Sequence, residues 1–185
     1  MEQLKPVKSG KFKVDDVNLY YEIYGQGDPL VFVAGTGISC APWRVSQVPE
    51  FAKHYQVVIY DHRGLGRSDK PDMPYSTELF AKDCAGLIDA FGIKNAHMLG
   101  HSMGARVAMV LAARFPHLLR SVAIVDIGPE AWKANYEQTV KALPTVLKEL
   151  KSHGFKVVHL VPKSHVEVIA LAEPPKGEAA QGPSH

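Results

Sequence analysis

Cysteine is scarce in this sequence, and long apolar runs are lacking altogether. Two cysteines, Cys40 and Cys84, are too few for a disulfide framework, and no CxxC pair surrounds them. No apolar stretch reaches the roughly 18 residues of a membrane-spanning helix, and the opening MEQLKPVKSG lacks the apolar segment of a signal peptide. We therefore expect buried thiols in a cytoplasmic protein.

A strong charge of either sign is also lacking. The formal net charge is +2, and lysines and arginines are scattered among the acidic residues, so neither a nucleic acid nor a membrane surface is expected as a partner. The expected partner is a small molecule, and the oligomeric state is left open. With 46% hydrophobic and 22% charged residues, the 185-residue chain is expected to form one globular domain over residues 1–185.

Strand and helix patterns alternate along most of the chain. Residues 11–25 alternate apolar and polar side chains around a polar turn, which predicts an antiparallel hairpin. Residues 76–92 and the run from Ser102 to Pro116 have helical spacing, whereas residues 42–54 predict a weak helix interrupted by Pro49. Four apolar runs are typical of strands buried on both faces: 29–35, 55–61, 96–100 and 121–128. The order predicts an α/β fold, with a mostly parallel sheet, helices on both faces and an N-terminal hairpin.

The sequence GHSMG at residues 100–104 places Ser102 between two glycines, where a strand pattern gives way to a helical one. This is the G-x-S-x-G nucleophile elbow in the context that it requires. The tight turn strains the serine backbone, and glycines remove side chains that would collide with neighbouring backbone. The N–H of Met103 and the helix dipole then face negative charge forming beside the hydroxyl. The alternative is that Ser102 only caps the helix.

Three motifs, VFVAGTG, VIYDHRGLGRSDKP and LGHSMGA, occur in an order and spacing that resemble the α/β-hydrolase fold superfamily over residues 11–130. The resemblance implies that Thr36 donates a second N–H to an oxyanion. It also shows a departure, because Ala34 stands where the family usually has histidine. We interpret the second motif as a structural loop at the pocket mouth, rather than as a chemical role for Asp61 or Arg63.

The resemblance also implies a histidine base and an acid that orients it. Residues 156–165 resemble the family's last strand and the loop after it, which makes His165 the base. His159 is the competitor, and zinc binding by the evenly spaced histidines 153, 159 and 165 is not expected. Asp126 is the best candidate for the acid, although it could equally be a strand-end turn residue. Weaker options for the acid are Glu167 and Glu173.

Family members commonly have about 250 residues and a helical cap, so a shortened cap and C-terminal region are expected here. Residues 130–152 are a possible cap remnant or a crossover, and the polar residues 174–185 predict a flexible tail. The leading hypothesis is an esterase or lactonase that forms an acyl-enzyme on Ser102 without a cofactor or metal. The alternative is a shortened, catalytically impaired protein that binds a small molecule, or a non-functional fragment.

Overall fold

The computed structural model describes residues 4–125, and a six-stranded sheet lies at its centre in the order β1-β2-β4-β3-β5-β6. The strands are β1 (Lys8–Val14), β2 (Val17–Tyr24), β3 (Asp28–Val33), β4 (Tyr55–Tyr60), β5 (Ala96–His101) and β6 (Leu119–Val125). The helices are α1 (Gln47–Phe51), α2 (Thr77–Ala90) and α3 (Met103–Arg114), with 3-10 turns at Ala41–Arg44 and Pro116–Leu118.

The strand directions confirm the predicted fold class. The β1–β2 pair and the β2–β4 pair are antiparallel, whereas β4, β3, β5 and β6 run parallel to one another. The N-terminal hairpin begins at Lys8, three residues earlier than its alternation indicated, and turns at Asp15 with a φ of +48°. The prediction for the last strand, 121–128, agrees with β6 as far as Val125.

One helix prediction was wrong in detail. Residues 42–54 form two short pieces, the turn at Ala41–Arg44 and α1, because Ser46 between them has a φ of −135°, outside the helical range. Pro49 is not the break, since it lies in the first turn of α1, where a missing N–H costs no helical hydrogen bond.

The core lies on both faces of the sheet. Successive side chains of a strand point to opposite faces, so Val31 and Val58 pack under α2 and α3, while Phe32 and Ile59 face the opposite layer. That second layer includes side chains from the Ala41–Arg44 turn and α1. The last four residues of β3 and of β4 are apolar because both faces of the sheet are covered there.

Several predictions fall outside the described part of the chain, among them the cap remnant at 130–152 and the tail at 174–185. Within residues 4–125, both thiols are buried and free, as expected. In the same range, no helix has the length and apolar character that crossing a membrane requires, and no cluster of histidine, cysteine or acidic residues could hold a metal ion.

Candidate active site

The carboxyl ends of β3, β4 and β5 meet at one edge of the sheet. The parallel register pairs Phe32 with Ile59 and Val33 with Gly100, so the loops that follow these strands begin side by side. Ligands of open α/β sheets bind at this edge. The three sequence motifs lie there together because each one straddles the end of one of these strands.

Ser102 has the backbone conformation of a strained turn residue. Its φ is +55° and its ψ is −117°, a combination that costs a non-glycine residue about 1–3 kcal/mol. Its hydroxyl makes no capping hydrogen bond within the described residues. Ser76 shows the contrast, because it has an extended backbone and its Oγ accepts a hydrogen bond from the Leu79 N–H at 3.1 Å. The interpretation of Ser102 as a simple helix cap is therefore wrong.

The glycines on either side of Ser102 allow the start of α3 to approach the strands closely. A Cβ atom on Gly100 would lie 2.3 Å from the Gly104 carbonyl oxygen, and one on Gly104 would lie 2.1 Å from the Val33 carbonyl oxygen. Both neighbours are backbone atoms, which cannot swing aside as a side chain can. The spacing of the motif thus follows from packing around the serine.

Relief of this strain gives a prediction for stability. We expect Ser102→Gly to raise the free energy of unfolding by about 0.5–2 kcal/mol relative to Ser102→Ala, because glycine adopts a positive φ without steric cost. The alanine variant is the matched control, since it also lacks the hydroxyl but keeps the Cβ atom. Urea denaturation of the two variants measures the difference. Equal stability of both variants would show that the turn stores no strain.

The loop after β3 lies against Ser102. A Cβ atom on Gly35 would be 3.2 Å from the Ser102 Cβ, and Thr36 follows in an exposed position. Met103 is the first residue of α3, where a backbone N–H has no acceptor within the helix. The segments that carry Ser102, Met103 and Thr36 are therefore brought together, and the roles of these residues remain predictions.

The predicted base and acid fall outside the described residues. This applies to His165 and Asp126 and also to the alternatives, which are His159, Glu167 and Glu173. Their roles remain predictions. The described chain ends at Val125, whose carbonyl oxygen accepts a hydrogen bond from the Ser102 N–H at 3.0 Å. Asp126 thus follows directly on a residue bonded to the serine backbone.

The loop that follows β4 is held by its own polar side chains, in agreement with the structural interpretation of Asp61 and Arg63. The Asp61 carboxylate is buried and accepts hydrogen bonds from the Cys40 N–H at 2.7 Å and the Arg67 N–H at 2.8 Å. It therefore ties the loop after β3 to the loop after β4.

Arg63 joins the same loop to α2. Its guanidinium donates two hydrogen bonds to the Asp83 carboxylate, at 2.7 and 2.6 Å, and both side chains are at most 2% exposed. These hydrogen bonds raise the pKa of Arg63. Burial raises the pKa of Asp83, while the guanidinium opposes that shift. A bidentate pair of this kind fixes the relative position of its two elements.

A buried carboxylate on β2 was missed by the sequence analysis. Glu22 accepts hydrogen bonds from the hydroxyls of Tyr20 and Tyr24. It also accepts two hydrogen bonds from the guanidinium of Arg44, at 2.7 and 2.6 Å. Burial alone would raise the pKa of Glu22, but the hydrogen bonds from Arg44 and the tyrosines hold it below its usual value. The network secures the Ala41–Arg44 turn to the sheet. The sequence feature that could have predicted this network is a single glutamate between two tyrosines in a largely apolar strand.

His62 was also missed. Its imidazole is fully buried, with Nε2 at 3.3 Å from the Ala34 carbonyl oxygen, and Nδ1 has no hydrogen-bond partner within the described residues. Burial lowers the pKa of His62 to about 4, so the ring is neutral at pH 7. The sequence marks this residue only as part of a loop.

Comparisons with known proteins agree with this architecture. A family model described as alpha/beta hydrolase fold matches residues 28–161. The chain is 41% identical over 111 residues to a protein of Azorhizobium caulinodans named "Putative carbamate hydrolase RutD", covering 60% of this chain and 42% of that protein. It is 31% identical over 121 residues to a 2-(acetamidomethylene)succinate hydrolase of Mesorhizobium japonicum, covering 65% of this chain and 43% of that protein.

A solved structure is similar over a longer part of the chain. It is the structure of Est816, an N-acyl homoserine lactone degrading enzyme, which matches with a TM-score of 0.60 and 28% identity. The match covers 78% of this chain and 64% of that one. The chain spans less than half the length of the two hydrolases named above.

Proposed function

Because the chain belongs to the alpha/beta hydrolase fold family, we propose that it is a serine hydrolase that cleaves a small carboxylic ester or lactone through an acyl-enzyme. The observation that carries this proposal is the geometry of Ser102. Its backbone is held at a positive φ at the start of α3, its hydroxyl caps nothing within the described residues, and Gly35 lies directly beside it.

The proposed reaction begins with attack of the Ser102 Oγ on the substrate carbonyl carbon. The carbonyl oxygen becomes an oxyanion, which accepts hydrogen bonds from the N–H groups of Met103 and Thr36. His165 takes the serine proton and gives it to the leaving alcohol, while Asp126 orients the imidazole. Water then hydrolyses the acyl-enzyme by the same route, which releases the acid and restores the serine. The reaction needs no cofactor.

The residue type at the elbow supports acyl transfer. A serine rather than an aspartate is typical of this mechanism, whereas dehalogenases and epoxide hydrolases of the same fold use a carboxylate nucleophile. The names of the similar proteins are consistent with this chemistry, since one is named for a carbamate and another for a lactone. Both groups have a carbonyl carbon joined to a heteroatom that can leave. We favour the ester or lactone as the simplest member of this class.

A fluorophosphonate probe tests the proposal on the full 185-residue chain, because phosphonylation requires an activated serine. We expect mass spectrometry to find the probe on Ser102, and His165→Ala to slow labelling by about 100-fold or more. Ser121→Ala is the control, since that serine is buried on β6 and its hydroxyl contacts His97. A folded chain that stays unlabelled at Ser102 would contradict the proposal and favour the impaired or binding-only alternative.

A further inference from the structure

We propose that His62 is a positioning residue, which holds the loop carrying Thr36 by donating its Nε2–H to the Ala34 carbonyl. This inference rests on the proposed function, in which the Thr36 N–H binds the oxyanion. His62 follows β4 and Ala34 follows β3, and these strands are neighbours in the sheet, so the bond joins two loops at the edge where Ser102 lies.

The bond matters because of the residue that follows Ala34. Gly35 has the widest backbone freedom of any residue type, so its two dihedral angles are not fixed by sterics. The carbonyl groups on both sides of it are held instead. His62 holds the Ala34 carbonyl at 3.3 Å, and the Ile38 N–H holds the Gly35 carbonyl at 3.3 Å. In a planar trans peptide the N–H points opposite to the C=O, so the Ile38 contact sets the direction of the Thr36 N–H. The His62 contact holds the preceding peptide plane, so that rotation about the Gly35 dihedral angles is limited from both sides.

The surroundings of His62 determine which nitrogen carries the proton. A backbone carbonyl only accepts, so the ring nitrogen facing Ala34 must be protonated and Nδ1 keeps a lone pair. The ring packs against Tyr60 and Phe80, with centroid distances of 5.1 and 4.6 Å. The adjacent charged group is Asp61, which is itself bonded to backbone N–H groups. Within residues 4–125 the imidazole therefore has one polar contact, which fixes its orientation.

A buried nitrogen without a hydrogen-bond partner lowers the stability of the fold, so a residue with only a packing role would not be expected to carry one. An unsatisfied buried polar atom costs about 1–3 kcal/mol, and Nδ1 of His62 is such an atom within the described residues. A leucine or phenylalanine would fill the space without that penalty, but neither could hold the Ala34 carbonyl. The side chain of Ala34 has no polar atom of its own to stiffen the loop. The presence of a histidine here is thus explained by the hydrogen bond that its Nε2–H donates to the Ala34 carbonyl.

Three variants of the 185-residue chain test the proposal. His62→Leu removes the donor, and His62→Gln restores one, because the glutamine amide nitrogen can reach the position of Nε2. His97→Leu is the matched control, since it removes a buried histidine bonded to Ser121 at 2.7 Å, at the opposite end of β5. Each variant is measured for kcat and KM with a short p-nitrophenyl ester, and for loop order by nitrogen-15 NMR.

We expect His62→Leu to lower kcat by about 10- to 100-fold, because a misdirected oxyanion donor causes part of the loss that a removed donor would cause. The KM should change less than about 3-fold. His62→Gln should recover kcat to within about 3-fold of the parent, and His97→Leu should leave kcat unchanged. In the NMR measurement, the parent ring should be protonated at Nε2. The heteronuclear NOE of Gly35 and Thr36 should fall in His62→Leu alone.

Three results would overturn the proposal: a proton on Nδ1, an unchanged heteronuclear NOE in His62→Leu, or an equal loss of kcat in His97→Leu. The NMR measurement separates this proposal from the hydrolase function. If the parent chain hydrolyses no ester while His62→Leu loosens Gly35 and Thr36 and His62→Gln restores them, the hydrolase proposal fails and the positioning role of His62 stands. If the parent hydrolyses esters and His62→Leu does so equally well, the positioning role fails alone.

Discussion

Replacement of Ser102 by alanine is expected to lower kcat/KM for short p-nitrophenyl esters by about 10⁴-fold or more, because the variant has no nucleophile. Steady-state kinetics on the 185-residue chain measures the loss. The fold should be retained, because alanine keeps the Cβ atom and the backbone of the turn. The serine hydroxyl makes no capping hydrogen bond that its loss would break within the described residues.

Ser76→Ala is the matched control for this experiment. Ser76 also precedes a helix, but its Oγ accepts the Leu79 N–H, so its loss should reduce the free energy of unfolding by about 1 kcal/mol. The esterase activity of Ser76→Ala should be unchanged. The two variants should therefore differ, since Ser102→Ala should lose activity and Ser76→Ala should lose stability. Ester hydrolysis that survives in Ser102→Ala would refute the assignment of the nucleophile.

The largest effect on stability is expected at the ion pair between Arg63 and Asp83. Arg63→Met leaves the Asp83 carboxylate buried without its partner, because these two side chains are 2% and 1% exposed. Removal of one member of such a pair costs about 3–5 kcal/mol, since the remaining charge has neither water nor a counter-ion. Urea denaturation monitored by circular dichroism measures the loss.

Two further variants show whether the loss of stability in Arg63→Met arises because the ion pair is buried. Arg114→Met breaks the surface pair with Glu78, in which both side chains are 66% exposed, and it should cost less than about 1 kcal/mol. The double variant Arg63→Met/Asp83→Leu should recover a large part of the loss, because it leaves no unpaired charge in the interior. A double variant no more stable than Arg63→Met would show that the lost packing, and not the stranded carboxylate, causes the loss.

The elements of the fold were predictable because each follows from a local pattern. The helix over 76–92 is one example, because its helical spacing predicts an element that the structure has as α2 (Thr77–Ala90), with Ser76 as its N-cap. Gly92 has a φ of +62°, which favours glycine at that end. The division of residues 42–54 could not be predicted, because it depends on the backbone of Ser46, which no spacing rule describes.

The candidate site was predictable only in part, because a local pattern describes only residues that are close together in the sequence. Ser102 and its two glycines lie within five residues of one another, so a motif captures them. The contacts of Glu22 and His62 join segments that are 22 and 28 residues apart, and no periodicity links such positions.

The sequence by itself determined the strand and helix alternation, the hairpin and the position of the strained serine, because these depend on neighbouring residues and on side-chain periodicity. Only the tertiary structure decided that Gly35 lies beside Ser102, that Arg63 is paired with Asp83, and that His62 holds the Ala34 carbonyl. The contacts of Gly35 and His62 form when parallel strands from distant parts of the chain pair and bring their carboxyl ends to one edge. The contact of Arg63 joins the loop after β4 to α2. Burial there leaves each polar group with the few partners that the fold provides.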